Sequence, residues 1–163
     1  MNYTFAPMTN AYRKPVIDIF NYFIENSFAA YPERALSYDA FDHFLIMSTG
    51  FPRLVVKAPT GQIIGFAFLQ HYHPARSLKK TAMITYFILP EHTRKGLGEK
   101  ILERFISEVK SQGIVYILAS ISSLNQESIH FHLKNGFNEC GRFVGIGEKL
   151  GKTFDMVWMQ RQL

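Results

Sequence analysis

The segment Leu89-Pro-Glu-His-Thr-Arg-Lys-Gly-Leu-Gly98 joins the most strand-like run of the chain to its clearest amphipathic helix. The run at 81–89 is apolar on both faces, which is typical of a central strand covered on both sides. After the segment, apolar residues recur at the three- and four-residue spacing of a helix, at Leu97, Ile101, Leu102, Phe105, Ile106 and Val109. The sequence therefore predicts a strand, a glycine-containing loop and a helix.

The loop has the chemistry of an anion site. Gly96 and Gly98 let the backbone approach a ligand closely, and the first-turn N–H groups of a helix are unpaired and electropositive. Arg94 and Lys95 add positive charge. These features favour a pyrophosphate-binding loop, although two glycines alone leave a plain strand-to-helix turn open. A P-loop and a dinucleotide fingerprint are excluded, because no Lys-Ser/Thr pair follows Gly98 and a third glycine is missing.

The rest of the chain completes the order β-α-α-β-β-β-α-β-α-β-β, which describes an α/β fold with one mixed sheet and helices on both faces. Before the segment we predict a strand at 3–6, a helix with Pro15 in its first turn, a helix capped by Ser37, and a hairpin of strands at 53–57 and 62–70. After it we predict a strand at 114–121, a helix at 126–134 capped by Asn125, and strands at 137–145 and 153–160 around a turn at 147–151.

Composition limits the classes of function. At 163 residues the chain has the size of one domain, 1–163. Its net charge of +5 is scattered, and the closest basic pairs, Lys79-Lys80 and Arg94-Lys95, are too short to predict a nucleic-acid partner. We expect a cytoplasmic protein without a signal peptide or membrane span, and the single cysteine excludes an internal disulfide. The 15 Phe and 8 Tyr residues either pack in the core or line an aromatic pocket.

Several motifs occur in order after the loop. Arg94-Lys-Gly-Leu-Gly98, then Asn125-Gln-Glu-Ser128, then Phe131-His-Leu-Lys-Asn-Gly-Phe137 together resemble the GCN5-related N-acetyltransferase (GNAT) superfamily. The spacing Asn-x-x-Ser-x-x-x-His-x-x-x-Gly-Phe and the tail at 148–155 resemble its phosphinothricin and methionine-sulfoximine acetyltransferase branch. The resemblance is strong from Thr81 onward and weak between Pro32 and Pro52. It implies a mostly antiparallel twisted sheet of about seven strands with four helices.

The resemblance also implies a cofactor and residue roles. Acetyl-CoA would be the co-substrate, and a neutral amine would attack its thioester directly while backbone donors stabilise the oxyanion. The implied cofactor contacts are the strand backbone for pantetheine, the loop for pyrophosphate and the last helix for the thioester end: Tyr86, Phe87, Ile88, Arg94, Lys95, Gly96, Leu97, Gly98, Glu99, Asn125 and Ser128. His132 occupies the position of the general acid that protonates the leaving thiolate.

Two positions depart from the family pattern. Thr93 replaces the usual Gln or Arg, which a loop that binds through backbone N–H groups tolerates. Met83 replaces the glutamate that the branch uses as a base, and methionine cannot accept a proton. Either a water chain, Glu91, His71 or His73 takes that role, or the acceptor differs, or the protein is a non-catalytic acyl-CoA-binding or sensing module.

The predicted function is therefore N-acetylation of a small amino-acid-like acceptor, with the binding module as the alternative. The predicted acceptor-site residues are Met83, Ile84, Thr85, His71, His73 and Phe28. No metal site is predicted, because His71 and His73 lack a third ligand. We further expect Cys140 to be a core residue and Asp155 to pair with Lys149. The resemblance also implies a homodimer to which the last strands contribute.

Overall fold

The computed structural model describes residues 2–163 and confirms the predicted fold class. Seven strands form one mixed sheet in the order β1-β2-β3-β4-β5-β7-β6, with four α-helices around it. In chain order the elements are β1 (Thr4–Pro7), α1 (Arg13–Asn26), α2 (Ala40–Met47), β2 (Arg53–Lys57), β3 (Ile63–His71), β4 (Thr81–Ile88), α3 (Leu97–Lys110), β5 (Tyr116–Ser122), α4 (Gln126–Lys134), β6 (Asn138–Lys149) and β7 (Lys152–Gln162).

The alternation of side chains along the strands gives the sheet two covered faces. On one, which we call the front face, Phe66 and Phe68 pack against α1 and α2. On the other, the back face, Ala67 and Leu69 pack against the apolar stripe of α3. Because each face is buried, the central strands are apolar on both sides, as the sequence predicted.

Neighbouring strands are antiparallel except for β4 and β5. Their parallel pairing is confined to Thr81–Met83 against Tyr116–Leu118, and the strands separate beyond those residues. We call this point of separation, between Met83 and Leu118, the fork. It leaves the β5-facing edge of 84–88 without a strand partner, and therefore opens a wedge in the middle of the sheet.

The last hairpin is longer than predicted. Gly147 and Lys149 belong to β6, and the turn is restricted to Leu150 and Gly151, both with positive φ. Gly147 faces Phe154 so closely that an added Cβ would lie 2.2 Å from its ring. Gly147 is therefore required because a side chain at this position would collide with the Phe154 ring, and the sequence alone did not distinguish it from a glycine in a turn.

The predicted cap of α2 also differs from the structure. The helix begins at Ala40 after Asp39, and Ser37 only accepts a turn hydrogen bond from Ala40 N through its carbonyl.

Two local predictions were wrong. Asp155 pairs with Arg142 at 2.9 Å, and the Lys149 ammonium is instead buried and donates to the carbonyls of Ser27 and Ala30 at 2.7 and 2.6 Å. Cys140 is exposed, and it lies at the register irregularity between Glu139 and Gly141 in β6, the edge strand of the sheet. Among the described residues, every helix is too short or too polar to cross a bilayer.

Candidate active site

The loop before α3 presents its backbone to solvent. Arg94 and Gly96 adopt left-handed backbone conformations, with φ of 59° and 74°, and the chain then enters α3 at Leu97. The first backbone bond of the helix runs from Lys100 N to Gly96 O. Within residues 2–163, the N–H groups of 94–99 have no protein partner, which is what an anion site requires, so the predicted pyrophosphate site stays a prediction here.

The two basic side chains of the loop bind other protein groups. Arg94 pairs with Glu127 of α4 at 2.6 Å, and Lys95 donates to the hydroxyl of Tyr3 at 3.0 Å. The Arg94–Glu127 pair is solvent-exposed, so it contributes little stability and exchanges readily. The backbone N–H groups of the loop are therefore held in place by the fold, whereas the charged side chains of Arg94 and Lys95 can exchange their partners.

The fork lies next to this loop along β4. The unpaired edge of 84–88 is an exposed strand edge of the kind that binds an extended ligand through main-chain hydrogen bonds. Side chains alternate around it: Thr85 and Phe87 point to the front face, whereas Tyr86 and Ile88 point to the back face. The structure therefore joins the predicted pyrophosphate loop and the predicted pantetheine strand into one continuous surface.

His132 lies behind the fork on α4. Asn125 caps this helix by accepting a hydrogen bond from Ser128 N at 3.3 Å, and His132 is only 3% exposed, one turn further on. Its Nδ1 is 2.6 Å from the Ser128 carbonyl oxygen. Since a carbonyl can only accept, Nδ1 carries the proton, and Nε2 accepts a hydrogen bond from the Tyr86 hydroxyl.

Burial sets the charge of this pair. It lowers the pKa of His132 to about 4, although the hydrogen bond to the Ser128 carbonyl acts in the opposite direction. It also raises the pKa of Tyr86. Both side chains are therefore neutral at neutral pH. Only a backbone role was predicted for Tyr86, because nothing in the spacing of residues 46 positions apart indicates that their side chains meet.

The predicted acceptor residues are divided between the faces. Met83, at the fork, and Thr85 lie on the front face, and Phe28 is also there, 6.2 Å from the ring of Phe154. Ile84 lies on the back face, as does His71, which sits opposite Ala82 and packs on Phe51 at 4.7 Å. His73 is exposed and accepts a hydrogen bond from Ala75 N, and Glu91 lies beyond β4, next to the predicted pyrophosphate loop.

A comparison with known protein families gives the same interpretation as the geometry of the loop and the fork. Residues 16–137 match the acetyltransferase (GNAT) family. The chain belongs to this family. The family resemblance found in the sequence is thereby confirmed, and the loop, the fork and α4 all lie within or at the end of the matched range.

Two relatives are named as acyl- or acetyltransferases of amino acids or amino-acid analogues. The chain is 32% identical over 114 residues to the L-amino acid N-acyltransferase MnaT of Escherichia coli. It is 30% identical over 114 residues to the L-methionine sulfoximine/L-methionine sulfone acetyltransferase of Pseudomonas aeruginosa. Each alignment covers 70% of this chain and 66% of the relative. The chain thus spans just under two thirds of the length of these relatives.

A solved GNAT structure extends the likeness to the whole chain. The yncA protein of Salmonella typhimurium, determined with its cofactor acetyl-CoA, superposes with a TM-score of 0.90 at 27% identity. The match covers 100% of this chain and 95% of that protein. The likeness therefore includes the segment before residue 16 and the final hairpin, which lie outside the family match.

Proposed function

We propose that this protein is an N-acetyltransferase that transfers the acetyl group of acetyl-CoA to the amino group of a small amino-acid-like acceptor. The observation that carries the proposal is the continuity of the loop at 94–99 with the fork along β4. Unpaired N–H groups suit the pyrophosphate, and the open strand edge suits the pantetheine arm. The amino-acid-like acceptor is supported by the names of the relatives.

The reaction is a direct transfer. The neutral amine nitrogen forms a bond to the acetyl carbon, and the carbon–sulfur bond breaks after the tetrahedral intermediate. The amine loses one proton and the leaving thiolate gains one. Met83, the front-face residue at the fork, cannot carry that proton because its thioether is not basic.

Tyr86 and His132 can carry it together. A histidine with a pKa of about 4 holds no spare proton at neutral pH, so His132 cannot act from its own stored charge. The phenolic oxygen can accept the amine proton as its own proton shifts towards Nε2, and the pair gives a proton back to the leaving sulfur in the same concerted event, so that neither a buried imidazolium nor a tyrosinate accumulates. In this proposal Tyr86 faces the reacting atoms, and His132 supplies the proton acceptor behind it.

The test is release of the CoA thiol with acetyl-CoA and a panel of L-amino acids that includes methionine sulfoximine. We expect turnover by the wild type, and a loss of about 100- to 10,000-fold in Tyr86→Phe and in His132→Gln. Tyr22→Phe, which changes an exposed tyrosine of α1, is the matched control and should leave turnover unchanged. Equal turnover in all three variants would remove the pair from the mechanism.

The second candidate is a non-catalytic acyl-CoA-binding or sensing module on the same fold. Met83 favours it, because the fork lacks an acid or base at that position. Saturable acetyl-CoA binding by calorimetry, without thiol release for any acceptor in the panel, would establish this function in place of transfer.

We also propose a homodimer formed through β6. This strand is at the edge of the sheet, and its apolar side chains Phe143, Val144 and Ile146 are exposed to solvent. An exposed apolar edge strand is a surface that pairs readily with another chain. We also propose a cytoplasmic location. The single cysteine is a free thiol, as is usual for proteins of a reducing compartment.

A further inference from the structure

Aromatic side chains line the front face beside the fork. Tyr31, in the segment between α1 and α2, stacks on Phe154 of β7 with ring centroids 6.1 Å apart, and Phe28 meets the same ring edge-on. The Tyr31 hydroxyl bonds Ser120 Oγ of β5 at 2.8 Å. Ser120 is the register partner of Trp158, which lies on the same face of β7 as Phe154.

Tyr72 contacts this aromatic group from the opposite side of the fork. Tyr72 follows β3, and its ring meets Trp158 edge-on at 6.1 Å. Since β4 and β5 lie between β3 and β7 in the sheet, the Tyr72 and Trp158 side chains meet in front of these two strands. Met83 and Leu118 are register partners at the fork. They therefore lie between Tyr72 on one side and the Tyr31–Phe154 pair on the other. Tyr72 is 43% exposed, so the wall is open to solvent on its outer side.

The wall is uncharged. Its six side chains, which we call the aromatic wall, are Phe28, Tyr31, Tyr72, Ser120, Phe154 and Trp158. The buried ammonium at its base, Lys149, is engaged by the carbonyls of Ser27 and Ala30. An oxyanionic side chain placed here would lose part of its hydration without gaining a free cation, because the Lys149 ammonium is already bound by two carbonyls, and this is costly. A neutral ring would gain stacking and edge contacts instead.

We propose that the acceptor is a primary amine with an uncharged aromatic side chain, bound with its ring against the aromatic wall and its amino group at the fork. This inference rests on the proposed acetyl transfer and specifies its acceptor. It also distinguishes the protein from the relatives named for methionine sulfoximine, methionine sulfone or phosphinothricin.

Trp158 makes the inference directly measurable, because it is the only tryptophan of the chain. With CoA present, titration with L-phenylalanine should change its fluorescence saturably, at concentrations about tenfold below those needed for L-glutamate or L-methionine sulfoximine. Initial rates of thiol release with acetyl-CoA should give the same order of kcat/KM. Tyr72→Ala should weaken phenylalanine binding about tenfold, whereas Tyr22→Ala, a tyrosine of similar exposure on α1, should not.

The outcomes separate this inference from the proposed function. Preferential binding of phenylalanine without turnover of any acceptor would support the aromatic site and reject the enzyme. Turnover with a preference for glutamate or methionine sulfoximine would support the enzyme and overturn the aromatic site. Equal effects of Tyr72→Ala and Tyr22→Ala would also overturn it, and the absence of both binding and turnover would overturn both proposals.

Discussion

His132 shows how burial determines the chemistry of one side chain. Its ring contacts Phe137 edge-on at 4.9 Å, and its two nitrogens are taken by the Ser128 carbonyl and the Tyr86 hydroxyl. The Tyr86 oxygen could accept from a protonated Nε2, so it is burial, and not the loss of a partner, that disfavours the charged ring. The fold therefore holds His132 neutral and fixes its tautomer.

The neutral state of His132 predicts a pH dependence of stability. The unfolded chain protonates this histidine below about pH 6.5, whereas the folded chain does so only near pH 4, so the unfolded state binds more protons between these values. The contribution is fully present above pH 6.5 and is lost as the pH falls. Between pH 6.5 and 4, we expect the free energy of unfolding to fall by about 3 kcal/mol more in the wild type than in His132→Gln. Parallel urea-denaturation curves for the two proteins would contradict this.

Gly96 allows a sharper test of the pyrophosphate loop. Its φ of 74° and the open space around it are matched by Gly61 in the β2–β3 hairpin, with a φ of 87°. Valine at either position is strained by roughly 1–2 kcal/mol, so both variants should lose similar stability. Only Gly96→Val places a side chain at the anion site, and we expect it alone to weaken acetyl-CoA binding about tenfold or more by calorimetry. Equal affinities in the two variants would place the cofactor elsewhere.

Among the elements, the segment between α1 and α2 depends on a residue distant in sequence. It has no regular structure where it carries Phe28 and Tyr31, and β6 anchors it through Lys149. Lys149 is 2% exposed, and burial lowers the pKa of its ammonium. The two backbone carbonyls that it binds thus gain a charged donor that water cannot replace.

Removal of this anchor should cost substantial stability. Lys149→Met leaves the carbonyls of Ser27 and Ala30 without their donor, and we expect a loss on the order of 3 kcal/mol in the free energy of unfolding by urea. Lys152→Met, an exposed lysine three residues away in the same hairpin, should change it by less than about 0.5 kcal/mol. Similar losses in the two variants would show that the anchor is not structural.

At the scale of the whole molecule, one edge of the sheet remains open and apolar. Val144 on β6 is 76% exposed, and Ile46 on α2 is 69% exposed. If β6 forms the proposed dimer, Val144→Asp should sediment as a monomer at micromolar concentration because it buries a charge in the interface. Ile46→Asp, which changes an equally exposed residue away from that edge, should remain dimeric like the wild type. A monomeric wild type would refute the dimer.

The sequence by itself determined the order of elements, the family and the loop at 94–99. These depend on local properties: the apolar periodicity of α3, the glycines before it and the cap at Asn125 are all contained in short stretches of chain. The limits of the final hairpin were missed, because Gly147 serves a ring seven residues later rather than a turn.

Only the tertiary structure decided which side chains share a face and a charge state. It brought Tyr86 to His132, directed His71 away from Met83, and used Lys149 to hold a segment more than a hundred positions earlier in the chain. It also brought Tyr31 to Phe154 and Tyr72 to Trp158 on the front face. Such pairings depend on strand register and helix placement, and desolvation depends on everything packed around a group, so no local pattern encodes them.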